Sequence, residues 1–183
     1  MDRGDTWKVI SPNLTNSAIK EKRSFASGAL VESQIKKGLL YVGTDKGAFW
    51  VTNNDGASWE EHDKNLPNHY IRSICPSRFK ESRVYIAMTG LNNDDLHKFL
   101  YVSENYGVTW KNISNGLPDE PINVIKEDPK NENILYAGSI RGVYISIDRG
   151  QNWSYLGSEL PQTAVADIEI NEVTMDLVVA THG

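Results

Sequence analysis

One octapeptide pattern, S/T-x-D/N-x-G-x-S/T-W, recurs four times along this chain, and nothing else in the sequence restricts the fold as strongly. The first copy shows Asp2, Gly4 and Trp7, without the leading Ser or Thr. The second runs from Thr52 to Trp59, with Asn54 and Gly56 in the fixed positions. The third runs from Ser103 to Trp110 with Asn105 and Gly107, and the fourth from Ser146 to Trp153 with Asp148 and Gly150. A Leu follows each Trp by seven residues, at Leu14, Leu66, Leu117 and Leu160. In the last three copies Pro comes next, at Pro67, Pro118 and Pro161. The Trp-to-Trp steps are 52, 51 and 43 residues. A repeat of roughly 40–50 residues made of short strands marks a propeller or an array.

Each copy reads as a device for closing a hairpin. An Asx residue followed closely by Gly, between two apolar runs, signals a tight turn. The Asx side chain accepts hydrogen bonds from turn amides, and Gly takes the positive φ that other residues avoid. The Trp is a large apolar anchor suited to the space between sheets. Trp59, Trp110 and Trp153 are therefore expected to be buried between layers. The competing reading gives these acids a metal or a catalytic task, and the sequence opposes it. Asn54 and Asn105 stand where the other copies have Asp2 and Asp148. Asn caps a turn as Asp does, but it is neither a carboxylate base nor a strong calcium ligand. No metal is expected here.

A second signal recurs between the turns: an apolar run, a small residue, Gly, and another apolar run. It spans Leu39 to Thr52, Val84 to Ser103 with an insertion, Ile134 to Ser146, and begins again at Leu177. One repeat then reads as four strands, such as Ile122–Lys126, Ile134–Gly138, Val143–Ser146 and Asn152–Leu156. Pro129 and Asn131 supply the turn between the first two. The best helical candidate, Asp94 to Phe99, is too short to stand alone. The expected fold class is all-β: a β-propeller of four-stranded antiparallel blades closed by these hairpins. Residues 1–14 are expected to supply the last strand of a preceding blade. Residues 29–63, 70–114 and 122–157 are expected to form whole blades, and 164–183 to start another. A propeller hides its edges by closing into a ring, which so few blades do poorly. A partial propeller within a larger parent chain is expected, with a small four-bladed ring as the alternative.

Composition narrows the function classes. The chain carries a net charge of −5, which argues against nucleic acid as a partner. No run approaches the roughly 18 apolar residues of a membrane span. The basic cluster of Lys20, Lys22 and Arg23 reads as a solvated loop. The single cysteine, Cys75, excludes an internal disulfide and sits in an apolar run typical of a buried, inert thiol. The opening residues lack the apolar stretch of a signal peptide.

The octapeptide matches the Asp-box, and the chain resembles the BNR-repeat proteins. These include sialidases, xyloglucanase-type glycoside hydrolases, sortilin-type receptors and photosystem II assembly factors. The stretches from Pro76 to Met88, Asp94 to Pro118, Val124 to Ser139 and Asp176 to Gly183 are similar to segments of large bacterial sortilin-like proteins, often labelled glycosyl hydrolase. The resemblance implies a propeller, an exported or periplasmic bacterial protein, and a binding or scaffolding role. It does not imply an activity, because fold does not carry function.

Each enzymatic reading makes a demand. A sialidase needs three clustered arginines, a Tyr nucleophile with a Glu partner, and an acid/base Asp. Arg72, Arg78, Arg83 and Arg141 are scattered, and Tyr41, Tyr85, Tyr101, Tyr136 and Tyr144 fall on repeated strand positions. A xyloglucanase-type enzyme needs two facing carboxylates, roughly 6.5–9.5 Å apart for inversion. The only carboxylates outside the repeat frame that stand out are Asp94 and Asp95, in the insertion Leu91 to Lys98. Loops that depart from a repeated scaffold are where sites are built, so Asp94, Asp95 and His97 are candidate ligand-binding residues, with Asp94 and Asp95 weak catalytic candidates. Neighbouring acids point apart, which suits them poorly to an acid/base pair. His182, at the exit of a strand, is a further ligand-binding candidate against a packing role. His62, His69 and His97 show no metal-ligand spacing, and no cofactor motif is present. The expected partner is a protein or peptide, held on a propeller face or in the channel, with no catalysis by these residues. Carbohydrate is the alternative, as part of a glycoside hydrolase completed by residues elsewhere. Trp50, the one Trp outside the repeats, is its best stacking platform.

Overall fold

The computed structural model describes residues 5–15, 26–157 and 162–182. Asp2 and Gly4, the Lys20, Lys22 and Arg23 cluster, and Leu160 and Pro161 lie outside them. The first sheet contains β1 (Ser27–Glu32), β2 (Leu40–Thr44), β3 (Phe49–Thr52) and β4 (Glu60–Glu61) in that order. The second contains β5 (Tyr70–Pro76), β6 (Val84–Gly90), β7 (Asp95–Ser103) and β8 (Lys111–Asn112). The third contains β9 (Ile122–Glu127), β10 (Leu135–Ser139), β11 (Val143–Ser146) and β12 (Ser154–Leu156). A two-stranded sheet of β13 (Ala164–Ile170) and β14 (Leu177–His182) follows. Every pair is antiparallel and sequential. The leading strands β1, β5, β9 and β13 neighbour one another in turn. This is the blade arrangement of a β-propeller, the all-β class the repeats imply.

The core lies between sheets, not within one. Strand β6 is buried along its whole length, and its alternate residues serve two different cores. Val84, Ile86 and Met88 pack with Leu39, Tyr41 and Phe49 of the first sheet. Tyr85 and Ala87 pack with Ile125, Leu135 and Ala137 of the third. A period of two in a strand places successive side chains on opposite faces, so both faces must be apolar in a middle blade. Leu66 and Leu117, seven residues past their Trp, close these two cores.

The three described motif turns share one hydrogen-bond set. Ser103 Oγ accepts from the Gly107 amide at 2.8 Å and donates to Asn105 Oδ1 at 2.9 Å. Asn105 Oδ1 then accepts from the Thr109 amide at 2.9 Å. The same bonds recur at Thr52, Asn54 and Ser58, and at Ser146, Asp148 and Asn152. The Asn152 amide and side chain hold the Asp148 carboxyl down to about 2. Here the structure adds to the sequence reading. The residue before each Gly is also left-handed: Asp55, Tyr106 and Arg149 have φ of 57°, 59° and 58°. A tight hairpin turn of this hand needs two positive φ values, and the sequence had pointed only to Gly.

The Trp residues reveal how the blades interlock. Trp59 Nε1 donates to the Ile10 carbonyl at 2.7 Å, Trp110 to that of His62 at 2.9 Å, and Trp153 to that of Ile113 at 2.8 Å. Each acceptor lies three residues past the preceding motif's Trp. The segment around Ile10 therefore occupies the place that the fourth strand occupies elsewhere, although no strand is assigned there. The expectation of full burial needs correction. Trp153 is 8% exposed, but Trp59 and Trp110 are half-buried. Trp7 is 92% exposed, because no preceding sheet lies against it among the described residues. As the sequence leads one to expect, no helix forms over Asp94 to Phe99: register with β6 extends β7 back to Asp95, and Asp94 is the turn residue before it.

Candidate functional site

The insertion lengthens one hairpin. Strand β6 runs into a 3-10 turn at Leu91–Asn93, Asp94 takes a left-handed φ of 56°, and β7 returns from Asp95. The hairpin thereby reaches the connectors that enter the second and third sheets, 62–69 and 113–121.

Asp95 is the hub of the contacts made there. Its Oδ2 lies 2.9 Å from His69 Nε2, and its Oδ1 lies 2.6 Å from His97 Nδ1. The His97 amide also donates to Oδ1 at 3.1 Å. Asn93 Nδ2 donates to the Asn68 carbonyl and to His69 Nδ1, both at 3.1 Å. That makes Nδ1 of His69 an acceptor, so Nε2 carries the proton given to Asp95. The His69 ring packs on Phe99 with centroids 4.6 Å apart. On the other side, His97 Nε2 lies 3.7 Å from Asp119, and Lys98 donates through Nζ to the Leu117 carbonyl. One strand start is thus tied to both flanking connectors.

Of the candidate residues, the structure brings Asp95 and His97 together and leaves Asp94 exposed on the turn. His182 ends β14 far along the chain, exposed, with its carbonyl accepting from Thr163 Oγ1 at 2.8 Å. His69 was missed as a partner. It lies 26 residues from Asp95, and only the approach of the connector to the hairpin joins them. Among the described residues no group of three His, Cys, Asp or Glu is arranged for a metal ion.

The contacts shift the titration of both partners. The His97 amide and ring, donating to Asp95, hold its carboxyl below the ordinary 3.8. The same Asp95, with Asp119 nearby, raises His97 above the ordinary 6.5. The His97 contribution is complete below its unfolded pKa and is lost as pH rises through the raised folded value. The Asp95 contribution is complete above its unfolded pKa and is lost as pH falls through the lowered one. Both are fully present between 3.8 and 6.5. In a proton NMR titration His97 should show a midpoint above 6.5, returning toward it in Asp95→Asn. An identical midpoint in both proteins would contradict the contact.

Several charged groups outside the hub are engaged in ion pairs and hydrogen bonds between elements. Arg83 is buried, with Nε 2.8 Å from Glu104 and Nη1 2.8 Å from Glu132. Glu127 is buried and accepts from Ser77 Oγ at 2.9 Å and the Arg78 amide at 2.8 Å. Burial nevertheless raises its pKa. Burial also pushes the Cys75 thiol up to about 12, where it cannot act as a nucleophile near neutrality. Arg78 pairs with Glu172 at 2.6 Å and Arg141 with Glu120 at 3.5 Å, so these arginines are each held by a different acid. Trp50 is 9% exposed, packed with Val42 and Ala48, and offers no face to a sugar.

No family model matches the sequence, and no curated protein matches it. Solved structures do match its fold. A GH74 enzyme from Niastella koreensis superposes with a TM-score of 0.69 at 18% identity, over 93% of this chain and 28% of that one. An ancestral GH74 enzyme gives 0.68 at 20% identity, over 91% and 23%. YCF48 bound to a D1 peptide gives 0.60 at 16% identity, over 85% and 49%. The chain spans about a quarter of the length of the GH74 enzymes it matches. At these identities the likeness establishes the propeller fold alone.

Proposed function

We propose that these residues form a non-catalytic segment of a larger Asp-box propeller of the sortilin-like kind, and that it docks a protein or peptide on the face carrying the β6–β7 hairpin. One observation carries the reading. The hairpin is held rigid by Asp95 and still exposes two apolar side chains, Leu91 at 41% and Leu96 at 57%. Apolar side chains fixed on a pre-ordered loop, beside His97 and Asp94, suit a protein contact with little ordering cost. The acids there are poorly placed for hydrolysis, since Asp95 is already bonded to two histidines and Asp94 is its chain neighbour on an exposed turn.

The test is a peptide-array binding measurement on the intact protein. Leu96→Asp should weaken captured peptides by roughly tenfold or more, the loss of one interface anchor. Turnover of a xyloglucan oligosaccharide that disappears in Asp94→Ala or Asp95→Ala would overturn the proposal. The second reading is a glycoside hydrolase completed by residues elsewhere. The two GH74 neighbours favour it; the burial of Trp50 weighs against it.

A further inference from the structure

Two Asx–Gly steps occur in the chain, Asp55–Gly56 and Asn115–Gly116, and the second is its one Asn–Gly. Such a step carries a latent reaction. The backbone nitrogen that follows an Asn can attack the side-chain carbonyl and close a succinimide ring. Glycine leaves that nitrogen open to approach, because it has no Cβ. A hydrogen bond from the same amide ties the nucleophile down.

The two steps differ in that bond. The Gly56 amide donates to Thr52 Oγ1 at 3.1 Å, inside the motif turn. Asn115 and Gly116 are the exposed middle residues of a turn that the Leu117 amide closes on the Ser114 carbonyl at 3.1 Å. Among the described residues the Gly116 amide donates to no acceptor, and the Asn115 side chain makes no hydrogen bond. Gly116 has φ of +89°, and a Cβ placed on it would meet only the Trp153 nitrogen, at 3.5 Å. The matching turn of the first sheet, closed by Leu66 on Asp63 at 2.9 Å, puts Leu66 after Asn65, where a branched side chain shields the nitrogen. The reactive turn belongs to the connector 113–121. Its Leu117 carbonyl accepts from Lys98 Nζ, and its Asp119 lies 3.7 Å from His97 Nε2. Both contacts hold the connector to the β6–β7 hairpin.

We propose that Asn115 is a site of spontaneous deamidation whose product opens this turn. The Gly116 nitrogen bonds to Asn115 Cγ, the Cγ–Nδ2 bond breaks, and the amide proton leaves with Nδ2 as ammonia. Water then opens the succinimide. Attack at the side-chain carbonyl gives Asp. Attack at the main-chain carbonyl gives isoAsp, whose main chain runs through Cβ and Cγ and is longer by one carbon. The Ser114–Leu117 bond spans that extra carbon and is lost. The inference does not depend on what the hairpin binds. The experiment holds the intact folded protein at mildly alkaline pH, beside a sample in concentrated urea. Trypsin then releases residues 112–126, and fragment mass spectra locate the conversion. Digestion in ¹⁸O water marks any conversion that occurs during handling. In the folded protein Asn115 should convert at least about tenfold faster than Asn65. Asn115→Gln should abolish the conversion, because the extra methylene disfavours ring closure. In the isoAsp form, separated by chromatography, the Leu117 amide should exchange its hydrogen at least about tenfold faster, the loss of one hydrogen bond. Asn115→Asp keeps the chain length and should leave that exchange unchanged. Conversion no faster at Asn115 than at Asn65 overturns the site, as does conversion confined to the urea sample. Unchanged Leu117 exchange in the isoAsp form, or an equal rise in Asn115→Asp, overturns the opening of the turn by the added carbon.

Discussion

Trp153→Ala should lower the unfolding free energy by about 3–5 kcal/mol. The ring is almost fully buried in the core shared by the second and third sheets, with Tyr85, Leu100, Leu117 and Ile122. Removing it opens a large cavity where two sheets meet, and neither sheet can collapse into the space without breaking its own ladder. It also strips the donor from the Ile113 carbonyl, bonded at 2.8 Å. The measurement is the urea unfolding midpoint, with the slope checked to be unchanged. The same truncation at Trp59 should cost less, since that ring is half-buried. A midpoint unmoved by Trp153→Ala would show that the Trp latch does not hold the blades together.

Gly107→Val should be the next most harmful change, at roughly 2–5 kcal/mol, combining left-handed backbone strain and overpacking. Gly107 has φ of +94°, where a β-branched side chain is strained. A Cβ there would lie 2.6 Å from Phe49 Cε1. Phe49 cannot give way easily: it is fully buried and edge-on to Trp110, with centroids 4.9 Å apart. The motif Gly thus has two tasks, making the turn and letting the preceding blade approach. Thermal unfolding of Gly107→Val beside Gly107→Ala separates them, because Ala keeps most of the backbone strain but brings less bulk against Phe49. If Val is tolerated like an exposed surface change, the turn does not pack against the neighbouring sheet.

The candidate site was legible only in part. An insertion in a repeat is visible by counting, so Asp94, Asp95 and His97 stood out. The pairing of Asp95 with His97 is two residues long and local. The pairing with His69 is not, and neither is the approach of Asp119 and Leu117 from the far connector. Asn115–Gly116 is plain in the sequence as a pair, but that its amide is free while that of Gly56 is bonded shows only in the fold.

The sequence by itself determined what short-range forces govern. Turn hydrogen bonds act over four residues or fewer, positive φ belongs to single residues, and alternation within a strand needs only a few positions. Those set the hairpins, the antiparallel order and the propeller class. The tertiary structure decided what depends on how one sheet meets the next: how deeply each Trp is buried, which carbonyl it finds 40 to 49 residues away, and which connectors the long hairpin reaches. The reason is that face-to-face packing couples residues a whole blade apart. One repeat carries its own turn chemistry in full, but the surface that buries it belongs to its neighbour.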